Sequence, residues 1–218
     1  MRSTALALML LVSSHLFGQL ALADSYRVTT LRASPGQLET LIEEVKALRA
    51  AQKNDVIILR HSQGDHWDLM LLEPVDSSVG EYRPLVDFQL SFIAESTAPF
   101  SEIKREADDN GLYHIEMFHA LAGKHDALVD QRLRENDYLR ATGQVSNYVF
   151  TTVLGSDVDV FTLGFHKDMA AFSKGPSVSD ADAELAAKAA GFKNRSDLGY
   201  YLRSLLVSHH DTLAVKVN

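Results

Sequence analysis

The chain has 218 residues, 21 basic against 29 acidic, for a net charge of −8, and it contains no cysteine. An acidic balance disfavours nucleic acid and anionic membrane as partners. Missing thiols exclude disulfides, thiolate zinc sites, iron–sulfur clusters, a cysteine nucleophile and C-x-x-C-H haem attachment.

The first segment reads as an address. Arg2 precedes an apolar core running from Ala5 to Phe17, broken at Ser13, Ser14 and His15, and Ala21-Leu22-Ala23 supplies small residues at a cleavage position. This is the pattern of a secretory signal peptide, and it falls short of the roughly 20 apolar residues of a membrane span. It predicts a periplasmic or secreted protein, cut after Ala23, with no membrane span in the mature chain. Loss of Arg2 leaves 20 basic residues against 29 acidic.

The remainder shows internal similarity. Tyr26, Ala33, Gly36 and Leu41 recur 87 residues later as Tyr113, Ala120, Gly123 and Leu128; Gly64, Asp68 and Leu72 recur 91 residues later as Gly155, Asp159 and Leu163. Two blocks in the same order predict a duplication, with one copy at 24–110 and a second at 111–218.

Each copy opens on an alternating, β-branched and aromatic stretch, residues 26–32 and 112–120, which predicts a strand. Ser34-Pro35-Gly36-Gln37 predicts a capped helix start. Leu38, Leu41, Ile42, Val45 and Leu48 then form the apolar face of that helix. Strands follow at 55–61 and 67–73, joined through Gly64, then a strand at 86–94 and a short helix at 100–108.

In the second copy Leu128, Leu133 and Leu139 mark a more polar helix ended by Gly143, and strands at 147–153 and 158–165 flank Gly155 as a hairpin. Ser179 with Asp182 predicts a capping box before an Ala-rich helix ending at Gly191. Ser196 caps another helix through Leu206, and a strand at 209–217 closes the chain. The order strand, helix, strand, strand, helical region, strand is the ferredoxin-like βαββαβ unit.

Two such units, with Asp68 beside Trp67 and Asp159 beside Val158 at the third strand of each, resemble a tandem member of the dimeric α/β-barrel superfamily, in the manner of NIPSNAP-like, EthD-like and antibiotic-biosynthesis-monooxygenase-like domains. The resemblance implies an α+β fold in which two antiparallel sheets pair into one barrel, with a ligand inside or at its mouth. Members include cofactor-free oxygenases, haem enzymes and isomerases, so fold alone does not fix the function. The Asn, Trp, His set of the haem-degrading members is not matched, since the first strand carries no Asn and no suitably spaced His follows Trp67.

Candidate chemistry rests on histidines. In this topology the end of the 113–119 strand approaches the start of the last strand, bringing His119 near His209, His210 and Asp211. Alternation sends His209 and Asp211 to one face and His210 to the other. His119 and His210 are the candidate proton-transfer pair. Tyr113, Asn147, Tyr148 and His209 are candidate ligand-binding groups.

His114 and Glu116 share a face with His-x-Glu spacing, which suits two metal ligands from one strand, although a cross-strand or solvated pair has the same spacing. The sequence specifies neither a metal nor a cofactor. P-loop, G-x-G-x-x-G, G-x-S-x-G and H-E-x-x-H motifs are absent. The reading is an exported small-molecule-binding barrel, alone or as a homodimer. The alternatives are a cofactor-independent or metal-assisted oxygenase or isomerase, and a structural barrel with a packed interior.

Overall fold

The computed structural model describes residues 23–52, 55–77 and 80–217; the signal-like segment up to residue 22 lies outside them. Among these residues are eight strands and six helices, in the order β1 (Asp24–Ala33), α1 (Leu38–Gln52), β2 (Ile57–Gln63), β3 (Leu69–Pro74), β4 (Val86–Ser96), α2 (Phe100–Asp109), β5 (Leu112–Ala120), α3 (His125–Ala141), β6 (Tyr148–Leu154), β7 (Val160–His166), α4 (Met169–Phe172), α5 (Asp180–Ala189), α6 (Asp197–Arg203) and β8 (Leu206–Lys216). The strands close into an antiparallel barrel in the order β1-β3-β2-β8-β5-β7-β6-β4. The α+β class and the closed barrel that the family resemblance implies are both present.

The pairing explains the closure. β1 lies between β3 and β4, and β5 lies between β7 and β8. Two seams then join the halves of the chain, β4 to β6 and β2 to β8. Every strand finds two partners, so no sheet edge is left open.

Alternation sorts side chains between interior and exterior. Tyr26 and Val28 of β1 and Tyr113, Ile115 and Met117 of β5 enter one core cluster with Phe92, Phe150, Phe161 and Phe165. Phe150 stacks on Phe161 at 4.4 Å between ring centroids, and Tyr26 meets Phe150 edge-on at 5.3 Å. Such pairs add about 0.5–1.5 kcal/mol each beyond their buried area. Tyr26 and Tyr113 close one end of the barrel, their hydroxyls donating to the Ala98 and Ala107 carbonyls around α2. Burial there pushes the Tyr113 phenol up to about 12.

Outside the first half, α1 packs Leu41 and Val45 on Leu31, Ile58, Leu69 and Leu71, an apolar layer. Outside the second half, the layer under α3 is mixed. Phe118 and Leu128 are fully buried there, but so are Gln131 and Arg132.

The repeated aspartates have one structural task in both halves. The Ala33 amide donates to Asp68 Oδ2 at 2.8 Å, and the Ala120 amide donates to Asp159 Oδ2 at 2.7 Å. Both bonds fall where the strand register shifts, at Arg32/Ala33 and at His119/Ala120. There the regular ladder leaves an amide without its usual acceptor, and the carboxylate replaces it.

Several local expectations fail for identifiable reasons. Gly36 has φ +77°, a left-handed conformation that keeps Ser34-Pro35 in a turn, so α1 begins at Leu38 without a serine cap. Ser196 has helical backbone angles and makes no capping bond. The Asn194 side chain accepts from the Asp197 amide instead. Leu133 faces solvent rather than the core, and the short α4 was not anticipated. Ser179 does cap α5, accepting from the Asp182 amide.

Candidate functional site

The barrel body is filled, but its mouth is not. At the end opposite the tyrosines, a cavity of about 210 Å³ is lined by Thr30, Asp65, His66, Trp67, Phe88, Leu90, Phe92, Met117, His119, Asp157, Val158 and His210. This exceeds the roughly 150 Å³ of an apolar cavity that accepts benzene. The walls are apolar and aromatic, and the polar groups converge from strand ends and hairpin turns.

His119 and His210 face each other with ring centroids 6.2 Å apart and nearly perpendicular planes. The register that brings them there pairs Met117 with His210 and His119 with Ser208 on adjacent β5 and β8. His119 Nδ1 sits 2.9 Å from the Asp157 carbonyl oxygen. A carbonyl only accepts, so this bond requires the proton on Nδ1 and leaves the Nε2 lone pair of the neutral ring free.

Across the mouth, His66 Nδ1 lies 2.6 Å from Asp65 Oδ1, and the His66 ring meets Phe88 edge-on. Burial works against the Asp65 charge, yet hydrogen bonds from the His66 amide and ring hold its carboxyl below the usual range. Trp67 is buried, and its Nε1 has no hydrogen-bond partner among the described residues. The His61 ring lies 5.6 Å from Trp67, and its buried Nε2 has no partner among the described residues.

The other candidates from the sequence are scattered. His209 points outward, stacked on Phe118 at 5.9 Å, with Nδ1 accepting from Arg203. Tyr113 belongs to the closed end of the barrel. Asn147 clasps Asn136 of α3 through two backbone bonds, at 2.6 and 2.7 Å. Tyr148 donates its hydroxyl to Glu102 at 2.9 Å. Burial and that carboxylate push the phenol far up.

Asn147 and Tyr148 line an open groove of about 760 Å³ between α2, α3 and β6. It is the larger concavity, but Asn147 and Tyr148 are already bonded to Asn136 and Glu102. Of the six predicted residues, only His119 and His210 share the mouth.

A second polar region lies under α3, where His114, Glu116, Glu135 and His166 border a cavity of about 340 Å³. Burial raises the Glu135 carboxyl, Arg132 opposes that, and the neighbouring Glu116 charge adds to it. Burial and then the His114 ring lower His166, whose Nδ1 has no partner among the described residues.

Asp65, His66 and Asp157 also line the mouth, with no local sequence pattern to mark them. Their signal was positional: they occupy the two hairpin turns on the same barrel end as His119, and only barrel closure turns them toward it.

The fold is that of the dimeric α+β barrel proteins. An anthrone oxidase-like protein superposes with a TM-score of 0.60 at 11% identity, over 90% of this chain and 92% of that one. A chlorite dismutase variant from Candidatus Nitrospira defluvii gives 0.51 at 13% identity, over 90% and 92%. A major regulator of staphylococcal pathogenesis gives 0.51 at 10% identity, over 88% and 99%. No family model and no curated protein sequence matches the chain. At such identities the likeness shows the fold alone.

Proposed function

We propose that this barrel binds a small, largely apolar, planar molecule with a proton-donating group, held at the mouth against His119 and His210. The observation that carries the reading is the cavity itself, with Phe88, Leu90, Phe92 and Met117 as walls and His119 Nε2 free to accept a proton. Phenols and enols have this character. The same fold in an anthrone oxidase-like protein fits that ligand class.

A second reading is favoured by the fixed His119 tautomer. A ring anchored through Nδ1 and bare at Nε2 is arranged as a general base, so the site would draw the proton from a bound phenol or enol toward cofactor-independent oxygenation or isomerisation. The reading includes export, which rests on residues 1–23. The amino terminus of protein recovered from periplasm or medium tests it, with Asp24 expected as the first residue.

Trp67 is the single tryptophan and lines the cavity, so its emission reports occupancy. Titration with phenol and 1-naphthol is expected to change that emission saturably, and His119→Ala with His210→Ala is expected to weaken the effect about tenfold or more. Unchanged emission and unchanged thermal stability at millimolar probe would refute the binding site. Turnover of a bound enol under oxygen, lost in the His119→Ala protein, separates catalysis from binding.

A further inference from the structure

On β5 the side chains alternate between two sites. Met117 and His119 face the mouth, while His114 and Glu116 face outward beneath α3. Glu116 is paired directly with Asp211 on the neighbouring β8, and with Thr162 on β7. One ligand atom from each of His114, Glu116 and Asp211 lies within 4.8 Å of the others.

The first half of the barrel shows what this position holds when no charge is placed there. β1 and β4 pair Thr29 with Ser91 in the register that pairs Glu116 with Asp211, and the two hydroxyls bond each other at 2.9 Å. The second half replaces that neutral, self-satisfied pair by two acids directly opposite on antiparallel strands, an arrangement that repels unless something positive lies between.

The nearby cations do not fill the gap. Arg132 is buried and approaches Glu116 Oε2 at 3.4 Å, but it also holds Glu135 and donates to Gln131. Thr162 donates to the same Oε2 at 3.0 Å. Oε1 of Glu116 therefore has no hydrogen-bond partner among the described residues. On Asp211, the His209 Nε2 contact at 3.5 Å uses Oδ2. Glu116 and Glu135 share one guanidinium, and the 340 Å³ cavity opens onto His114 and Glu116.

We propose that His114, Glu116 and Asp211 form a binding site for a divalent first-row transition ion on the outer face of the β5–β8 pair, with its remaining coordination positions open to water or a small anion in the adjoining cavity. One imidazole nitrogen and two carboxylate oxygens suit Zn²⁺ or Mn²⁺ better than Mg²⁺ or Ca²⁺. Ligand distances of about 2.0–2.2 Å set donor atoms about 3.0–3.4 Å apart, so the three side chains close on the ion from separations of up to 4.8 Å. Arg132 and Thr162 would then orient Glu116 from its far oxygen, as outer groups do around metal ligands.

The test is calorimetric titration of the full chain, free of an affinity tag, with Zn²⁺ and with Mn²⁺, and Mg²⁺ as the contrast. About one equivalent of Zn²⁺ or Mn²⁺ is expected to bind, with Mg²⁺ much weaker. His114→Ala and Glu116→Gln are each expected to weaken binding about tenfold or more. Asp211→Asn, at an exposed position, is expected to do the same and serves if Glu116→Gln fails to fold.

The His119→Ala, His210→Ala double variant is the control that separates this site from the barrel mouth, and it is expected to bind the ion as the parent does. Binding lost in that control and kept in His114→Ala moves the ion to the mouth and overturns the proposal. Binding unchanged by all three ligand substitutions, or absent from the parent, overturns it as well. Tryptophan titrations with phenol report on the mouth independently, so either site can fail alone.

Discussion

The aspartate clasps at the two register shifts offer a quantitative test of how the mouth is held. Asp159→Ala removes the acceptor of the Ala120 amide, and Asp68→Ala removes that of the Ala33 amide. A hydrogen bond to a charged acceptor contributes about 1.5–3 kcal/mol net, and a donor left unpaired at a part-buried site keeps the loss in that range. For a domain of this size each kcal/mol moves the melting temperature by about 2–4 °C, so each variant is expected to melt roughly 3–12 °C lower. β3 and β7 lie on opposite sides of the barrel, so the double variant should equal the sum of the singles within about 0.5 kcal/mol. Urea unfolding followed by circular dichroism, with the denaturant slopes compared, measures all three.

The two clasps should differ in their functional effect. Asp159 brackets His119, its amide donating to the Phe118 carbonyl and its carboxylate accepting from Ala120. Asp68 brackets Arg32 in the same way, and Arg32 does not line the cavity. Asp159→Ala should therefore weaken phenol binding measured through Trp67, and Asp68→Ala should leave it near the parent value. A loss under about 0.5 kcal/mol in either single variant would refute the account of the clasp. Equal loss of phenol binding in both would refute its link to His119.

Two further outcomes follow from local geometry. Gly64 has φ +129°, and a Cβ there would stand 2.2 Å from the Asp211 carbonyl oxygen, whereas at Gly155 the nearest atom is the Ser91 carbonyl oxygen at 3.0 Å. Gly64→Ala is therefore expected to lower stability by more than the ~1–3 kcal/mol of backbone strain alone, and by more than Gly155→Ala, as read by urea unfolding. Burial raises the Glu73 carboxyl, and Arg27, 3.9 Å away and committed to the Val75 and Ser77 carbonyls, only partly opposes this. The folded protein then binds the Glu73 proton more tightly than the unfolded chain. The resulting stability is complete well below about pH 4.5 and is lost as pH rises through the folded value. Glu73→Gln should raise the melting temperature at pH 7, change little at pH 4, and flatten the profile between; an equal shift at both values would contradict this origin.

The elements were legible because each had a local cause. Alternation in Tyr26–Arg32 and Leu112–Ala120, the Gly64 and Gly155 turns and the Ser179 cap act over a few residues. The pairing of His119 with His210 was legible too, because it needs only the neighbourhood of first and last strands in the βαββαβ order. Tyr113 and His119 illustrate the limit: the same face of one strand carries both, but they serve opposite ends of the barrel, and only the depth of aromatic filling between them decides which end is open. Asp65, His66 and Asp157 were out of reach because their place depends on the β2–β8 and β4–β6 seams, which join parts of the chain with no local signal in common. Ser34 and Ser196 had capping sequences, but Gly36 turns the chain ahead of α1 and Ser196 has helical backbone angles.

The seam between β2 and β8 pairs Leu59 with Lys216, so the hoop is fastened by the last of the eight described strands in chain order. Until Leu206–Lys216 is available, β2 and β5 each present a bare row of amides and carbonyls. Without that strand the sheet has two open edges where the closed barrel has none. That strand acts as a clasp: with it between β2 and β5 the sheet is a ring that offers no open edge for further strand addition.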